Sequence, residues 1–132
     1  MGRRLILDTG ALIAFERGTL DRDALDEDDL AIAAVTVAEF RTGIELAGTP
    51  ERAAARARTL AAILDAIVVL DYTARTAAEH ARLLAHIRRT GTPRGAHDVI
   101  IAAHAAEHGR AVVSLDARAR FDDLPGVLTA TP

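Results

Sequence analysis

An α/β fold, a central parallel β-sheet with helices on both of its faces, is what this sequence predicts. Three observations predict it. Short apolar runs of strand length (5–7, 30–34, 67–70 and 111–115) alternate with longer helix-forming segments. Glycine and proline punctuate the boundaries at Gly48, Pro50, Gly91, Pro93 and Gly109. No repeat, linker or low-complexity stretch interrupts the alternation, so the 132 residues are expected to form one domain spanning 1–132. Strands separated by helices need crossover connections, which parallel sheets accommodate and which run right-handed.

Each element follows from its residues. Leu5-Ile6-Leu7 reads as a short buried strand, followed by a helix over 9–17. Residues 21–29 are acid-rich, with Leu20 and Leu25 on the buried face of a short helix and the carboxylates in water. A second strand is predicted over 30–34 and a helix over 36–46, broken by Gly48 and Pro50. The Ala- and Arg-rich stretch 51–66 is helical, and the β-branched run 67–70 forms a third strand. A long helix over 73–90 carries Ala77, Ala81, Leu84 and Ile87 near helical spacing. A further helix covers 98–108, a fourth strand 111–115, and a short fifth strand 127–128.

Composition removes several classes of chemistry. Half of the residues are hydrophobic but only 3% are aromatic, so Ala, Leu, Ile and Val must build the core. The absence of cysteine excludes disulfides, thiolate zinc sites and a cysteine nucleophile. It suits a reducing compartment. No apolar run approaches the ~18 residues of a membrane span, and three apolar residues before Asp8 are too few for a signal peptide, so a cytoplasmic location is expected. Net charge is −3, which argues against broad duplex binding. All sixteen basic residues are Arg, as in a GC-rich coding sequence. Arg is also the better phosphate fork.

Four acids stand out: Asp8 at the end of the first strand, Glu39 early in the second predicted helix, Asp98 heading a very apolar helix, and Asp116 just past the fourth strand. Each has an ordinary structural explanation. Asp8, with Thr9, suits an N-cap. Thr36-Val37-Ala38-Glu39 matches a capping box. Asp98 suits a cap, and Asp116 a turn. Taken together, they fall at comparable ends of a parallel sheet, where ligands collect. Two unit charges ~4 Å apart repel by about 4 kcal/mol at an effective dielectric near 20. Four gathered carboxylates therefore need a cation or raised pKa values, and no lysine exists to help. Oxygen-only donors suit Mg²⁺ or Mn²⁺. Asp122 and Asp123 read as solvated turn residues. His104 and His108 have zinc-like i, i+4 spacing but lack a His-Glu-x-x-His pattern and an evident third ligand, so they read as a solvated pair. His97, beside Asp98, is placed to meet a phosphate or shuttle a proton.

The segments Leu-Ile-Leu-Asp8-Thr-Gly-Ala-Leu-Ile-Ala, Val-Thr-Val-Ala-Glu39-Phe-Arg-Thr-Gly, His-Asp98-Val-Ile-Ile-Ala-Ala-His-Ala and Val-Val-Ser114-Leu-Asp116 follow one another nearly end to end. In order and spacing they resemble the PIN-domain ribonucleases, specifically the VapC-type toxins of toxin–antitoxin pairs. The resemblance implies a three-layer α/β sandwich and a Mg²⁺-dependent endoribonuclease, with Mn²⁺ as a substitute. The family's acidic positions fall on Asp8, Glu39, Asp98 and Asp116, supported by Thr9 and Ser114. Asp8 and Asp98 are expected as direct metal ligands. Asp116 and Glu39 would bind a second ion or orient water. Arg94, His97, Arg118 and Arg120 flank the acids and are expected phosphate contacts. An RNA substrate, a cognate antitoxin over the active-site groove, a homodimer and no membrane are implied as well.

Two other activities that place acids at strand ends fail on this sequence. A phospho-acceptor receiver needs a lysine near its acids, and a haloacid-dehalogenase-type site needs Asp-x-Asp where Asp8-Thr9-Gly10 stands. A catalytically inactive PIN-fold module that binds RNA or antitoxin is the remaining alternative, and the intact acids argue against it.

Overall fold

The computed structural model describes residues 2–132. Five strands form one wholly parallel sheet: β1 (Arg4–Leu7), β2 (Asp29–Ala33), β3 (Val68–Leu70), β4 (Ala111–Val113) and β5 (Leu128–Thr129). Their spatial order is β3-β2-β1-β4-β5. The chain thus builds outward from β1 to β3, then crosses back to place β4 on the other side of β1. Five helices connect and cover the strands: α1 (Thr9–Arg17), α2 (Ala34–Glu45), α3 (Pro50–Ala66), α4 (Ala74–Thr90) and α5 (Ala96–His108).

Both faces of the sheet are buried, and side-chain alternation sorts them. Ile6, Ala31, Ala33 and Val112 face one way and pack with Val99, Ile101, Ala102 and Ala103 of α5 and Leu83 of α4. Leu5, Leu7, Ile32 and Val113 face the other way, against Ala11 and Leu12 of α1 and Ile63 of α3. Leu20 and Leu25 are buried in this second layer as expected, although the predicted short helix is a single 3-10 turn over Asp23–Leu25. The sandwich of helix, sheet and helix matches the predicted fold class. Small residues on α5 are the reason it lies so close to the sheet: Ala102 and Ala103 are fully buried. The edge strands β3 and β5 are only three and two residues long, a common way of limiting edge pairing.

Helix ends obey their local chemistry. Asp8 caps α1 by accepting a hydrogen bond from the Ala11 amide at 2.8 Å. Thr73 and Thr76 cap each other's backbone at the start of α4. Gly91 and Gly109 end α4 and α5 in the left-handed region at φ 63° and 61°, where a side chain would be strained.

Some boundaries move. Helix α2 starts at Ala34 rather than residue 36, because β2 runs straight into it with Ala33 at the N-cap. The Thr36–Glu39 capping box is therefore absent. Thr36 occupies the third helical position, fully buried, and its hydroxyl has no hydrogen-bond partner. Helix α5 begins at Ala96, two residues before Asp98, with Gly95 at its N-cap and no side-chain cap. Pro93 keeps Thr92 out of the helical region, and the extended Gly95 then opens the helix. Strand β4 stops at Val113, opposite Leu7, the last residue of β1. Beyond it Leu115 is exposed and has no strand to pair with.

Helix α5 carries His97 and Asp98 to the carboxyl edge of the sheet and is held by its core face. Ile101→Ala is expected to destabilise the protein by about 2–5 kcal/mol through the cavity it leaves. A urea titration should show a lower midpoint with an unchanged slope.

Candidate active site at the carboxyl edge of the sheet

The strand order reverses between β1 and β4, and open parallel sheets offer a crevice at such a point. Leu7 pairs with Val113, and the Asp8 amide then bonds the Val113 carbonyl at 3.1 Å. Both strands end together, so Asp8 and Asp116 emerge at the same edge of the sheet. Asp98 arrives on the first turn of α5 and Glu39 on the second turn of α2. All four acids line one cleft of about 450 Å³, together with Thr9, Gly10, His97, Leu115 and Arg118.

Each carboxylate is held differently. Asp8 is only 5% exposed and is fixed by its cap bond. Glu39 accepts a 2.9 Å hydrogen bond from the Thr9 hydroxyl and lies 3.2 Å from His97 Nδ1. Losing the capping box is what frees it for these partners. Asp116 accepts from the Arg118 amide at 3.0 Å, while its own amide donates to Ser114 Oγ at 3.1 Å. Asp98 is half-buried over Gly95, where an added Cβ would come within 3.0 Å of its Oδ2. A side chain at residue 95 would push the Asp98 carboxylate by a few tenths of an ångström, a close approach that the sequence signals only weakly. A glycine three residues before an acid was its only trace.

Electrostatics follow from this crowding. Burial raises the pKa of Asp8; the Ser114 hydroxyl and the Ala11 amide pull it back, and the charges of Asp116 and Glu39 push it further up. Burial also raises Asp98, reinforced by Asp8, Asp116 and Glu39 and opposed by His97. The basic side chains on this cleft are His97 and a largely exposed Arg118. An oxygen-rich cleft that resists its own ionisation fits a divalent cation. The ligand oxygens ring the cleft: no three of the acids bring theirs within 4.8 Å of one another. Such spacing suits a hydrated ion held through one or two carboxylates better than a closed protein cage.

The four basic residues divide. His97 and Arg118 stand on the acid cleft. Arg120 lines a neighbouring cavity of about 650 Å³ that shares Leu115 and Asp116 with it. Arg94 is not brought to the acids. Its side chain is 3% exposed, and it donates to the Arg120 carbonyl at 3.1 Å, bracing a turn whose Arg120 has φ 46°. Asp122 also lines the neighbouring cavity, not the acid cleft. The expected solvated histidine pair is corrected as well: His104 is fully buried, and burial lowers its pKa. Tyr72 packs edge-on against it from beside α4.

Fold and cleft together define a class: a doubly wound parallel α/β protein with a carboxylate-ringed site at its switch point. The chain belongs to the PIN-domain family, whose model matches residues 5–127. Ribonuclease VapC5 of Mycobacterium tuberculosis is 36% identical over 113 residues, covering 84% of this chain and 82% of that protein. The tRNA(fMet)-specific endonuclease VapC of Salmonella typhimurium is 32% identical over 107 residues, 81% of this chain and 78% of that one. Among solved structures, DNA-bound VapBC from Salmonella typhimurium superposes with a TM-score of 0.85 at 27% identity, covering 99% and 98% of the two chains. VapBC-5 from Mycobacterium tuberculosis, a toxin–antitoxin family member, gives 0.76 at 31% identity over 97% and 96%.

The raised carboxylates predict how stability varies with pH. A carboxyl whose folded pKa lies above its ordinary 3.8 binds its proton more tightly when folded, so it lowers stability as pH rises through that window. In EDTA at neutral pH, Asp98→Asn should therefore melt at a higher temperature than the parent. The difference should shrink on acidification toward pH 4. Equal melting temperatures at neutral pH would show that Asp98 carries no such penalty.

Proposed function

We propose that this protein is a Mg²⁺-dependent endoribonuclease and the toxin partner of an antitoxin. The observation that carries the reading is the convergence of Asp8, Glu39, Asp98 and Asp116 on one cleft at the β1–β4 switch point. When bound there, a divalent ion supplies Lewis-acid charge for a phosphodiester oxygen and a more acidic water for in-line attack. Asp8 and Asp98, whose ionised forms are disfavoured without a cation, would hold it. Glu39, oriented by Thr9 and His97, is positioned to align the water. Asp116 lies on the boundary between the acid cleft and the neighbouring cavity, where it can bind a second ion. Arg118 and His97 at the rim, and Arg120 beyond it, offer phosphate contacts along the strand. Ser114 supports Asp8 and Asp116. Mn²⁺ substitutes for Mg²⁺ in such an oxygen-donor site.

A groove of about 430 Å³ with Ile13 and Phe40 among its lining shares Thr9 and Glu39 with the acid cleft. One bound antitoxin segment can therefore cover apolar surface and reach the acids at once. This supports the antitoxin as partner, and we propose a homodimeric assembly with it. No helix among the described residues is long and apolar enough to cross a membrane. We propose that it acts in the cytoplasm, where cellular RNA is met.

Purified protein should cleave RNA with Mg²⁺ or Mn²⁺ and lose cleavage in EDTA. Asp8→Asn keeps the helix cap. Removing several kcal/mol of transition-state stabilisation should cut the rate by ~10³-fold or more. Cleavage that survives Asp8→Asn would remove Asp8 from the ligand set. No cleavage of tRNA, rRNA or mRNA, with binding retained, would favour the inactive binding module.

A further inference from the structure

We infer that His104, Glu107 and His108 form a second metal site, for a nitrogen-seeking ion such as Zn²⁺, in the seam between α5 and α4 and separate from the acid cleft. The inference stands on geometry outside the proposed ribonuclease site and does not depend on that activity.

The three residues lie at i, i+3 and i+4 on α5, so they share one face. Each offers a ligand atom, and these atoms all lie within 4.8 Å of one another; among the described residues no other such group occurs. His108 Nε2 and Glu107 Oε1 are 3.3 Å apart. Zinc bonds of roughly 2.0–2.2 Å to nitrogen and oxygen in tetrahedral array space their ligand atoms by about 3.3–3.5 Å.

The second observation is independent of spacing. His104 is fully buried, and neither ring nitrogen has a hydrogen-bond partner. A neutral imidazole carries one donor and one acceptor, and water reaches neither here. A metal ion satisfies one nitrogen outright.

The surroundings are those of a supported ligand. Glu107 Oε1 accepts a 2.6 Å hydrogen bond from Thr76, and Oε2 a 3.4 Å one from Thr73. Outer contacts of this kind fix the orientation of metal ligands. Tyr72 packs its ring edge-on to His104, 6.2 Å between centroids. The order His104-x-x-Glu107-His108 is also that of a known zinc-hydrolase motif, in which the glutamate serves as a base. In this fold Thr76 of α4 holds Glu107 and His104 is sealed from solvent, so three protein donors would hold the ion and a water on the side of the partly exposed His108 would complete the tetrahedron. All three donors lie on α5, about 9–15 Å along the helix from Asp98, and α4 takes part through the Thr76–Glu107 hydrogen bond.

The two sites differ in donor chemistry, which separates them experimentally. Metal-stripped protein spanning residues 1–132 is titrated with Zn²⁺ in excess Mg²⁺ by calorimetry, and in parallel with Co²⁺ by visible absorption. We expect one equivalent of Zn²⁺ to bind, an intense four-coordinate Co²⁺ spectrum, and a rise in Tm with Zn²⁺ but not with Mg²⁺. His108→Gln, at a partly exposed position, should weaken Zn²⁺ binding by at least ~tenfold and abolish the Co²⁺ spectrum. Glu107→Gln should do likewise, and Asp98→Asn should change neither. The absence of Zn²⁺ binding in the parent overturns the inference. So does binding that ignores both Glu107→Gln and His108→Gln, or that is lost with Asp98→Asn.

Discussion

The parallel pairing of β1 with β4 is the constraint on which the active cleft depends. Those strands finish together at Leu7 and Val113, so the acids that follow, Asp8 and Asp116, leave the sheet at the same edge. Neither helix contributes a site residue without this edge to aim at. Helix α2 enters directly from β2, and α5 packs across Ile6 and Val112, which brings Glu39 and Asp98 to the same opening. The strand reversal at β1 makes room for all of them between diverging crossovers.

The resulting charge density opposes the fold that creates it. Asp8 is nearly buried and surrounded by other acids, yet it also caps α1, so its carboxylate serves the fold and burdens it at once. Ser114, His97 and Arg118 soften the repulsion without cancelling it. A cation resolves this conflict, which ties stability of the cleft to the chemistry proposed for it. Sites held in such tension commonly gain stability when their working charge is removed.

Much of this was legible in the sequence. Apolar runs alternating with helical segments specify a parallel sheet, and acids at strand ends specify where a ligand sits. What was not legible depends on tertiary context. The Thr36-x-x-Glu39 signature describes an isolated helix start, but β2 hands the chain to α2 two residues earlier and burial takes Thr36 out of play. Arg94 reads as a phosphate contact beside the acids, while its partners are the backbone carbonyl of residue 120 and the carboxylate of Asp123, which only the folded turn presents. His104 reads as solvated near a helix end. The alanines and isoleucines around α5 already carried the contrary signal, since a helix apolar on all sides is buried on all sides.

Helix α5 then appears as an element with two opposite ends. Its N-terminal turn bears Asp98 near the positive pole of the helix dipole, which favours the ionised carboxylate that neighbouring acids disfavour. Its C-terminal turns bear His104, Glu107 and His108 near the negative pole, which favours a cation. Hard oxygen donors gather at one end and mixed nitrogen and oxygen donors at the other, so the two ends would select different ions. The apolar turn between them, Val99 to Ala103, rests on the sheet and keeps the ends apart. An ion at the histidine end would act on the cleft only through the rigid placement of this helix. For that reason its effect should be felt in stability before it is felt in catalysis.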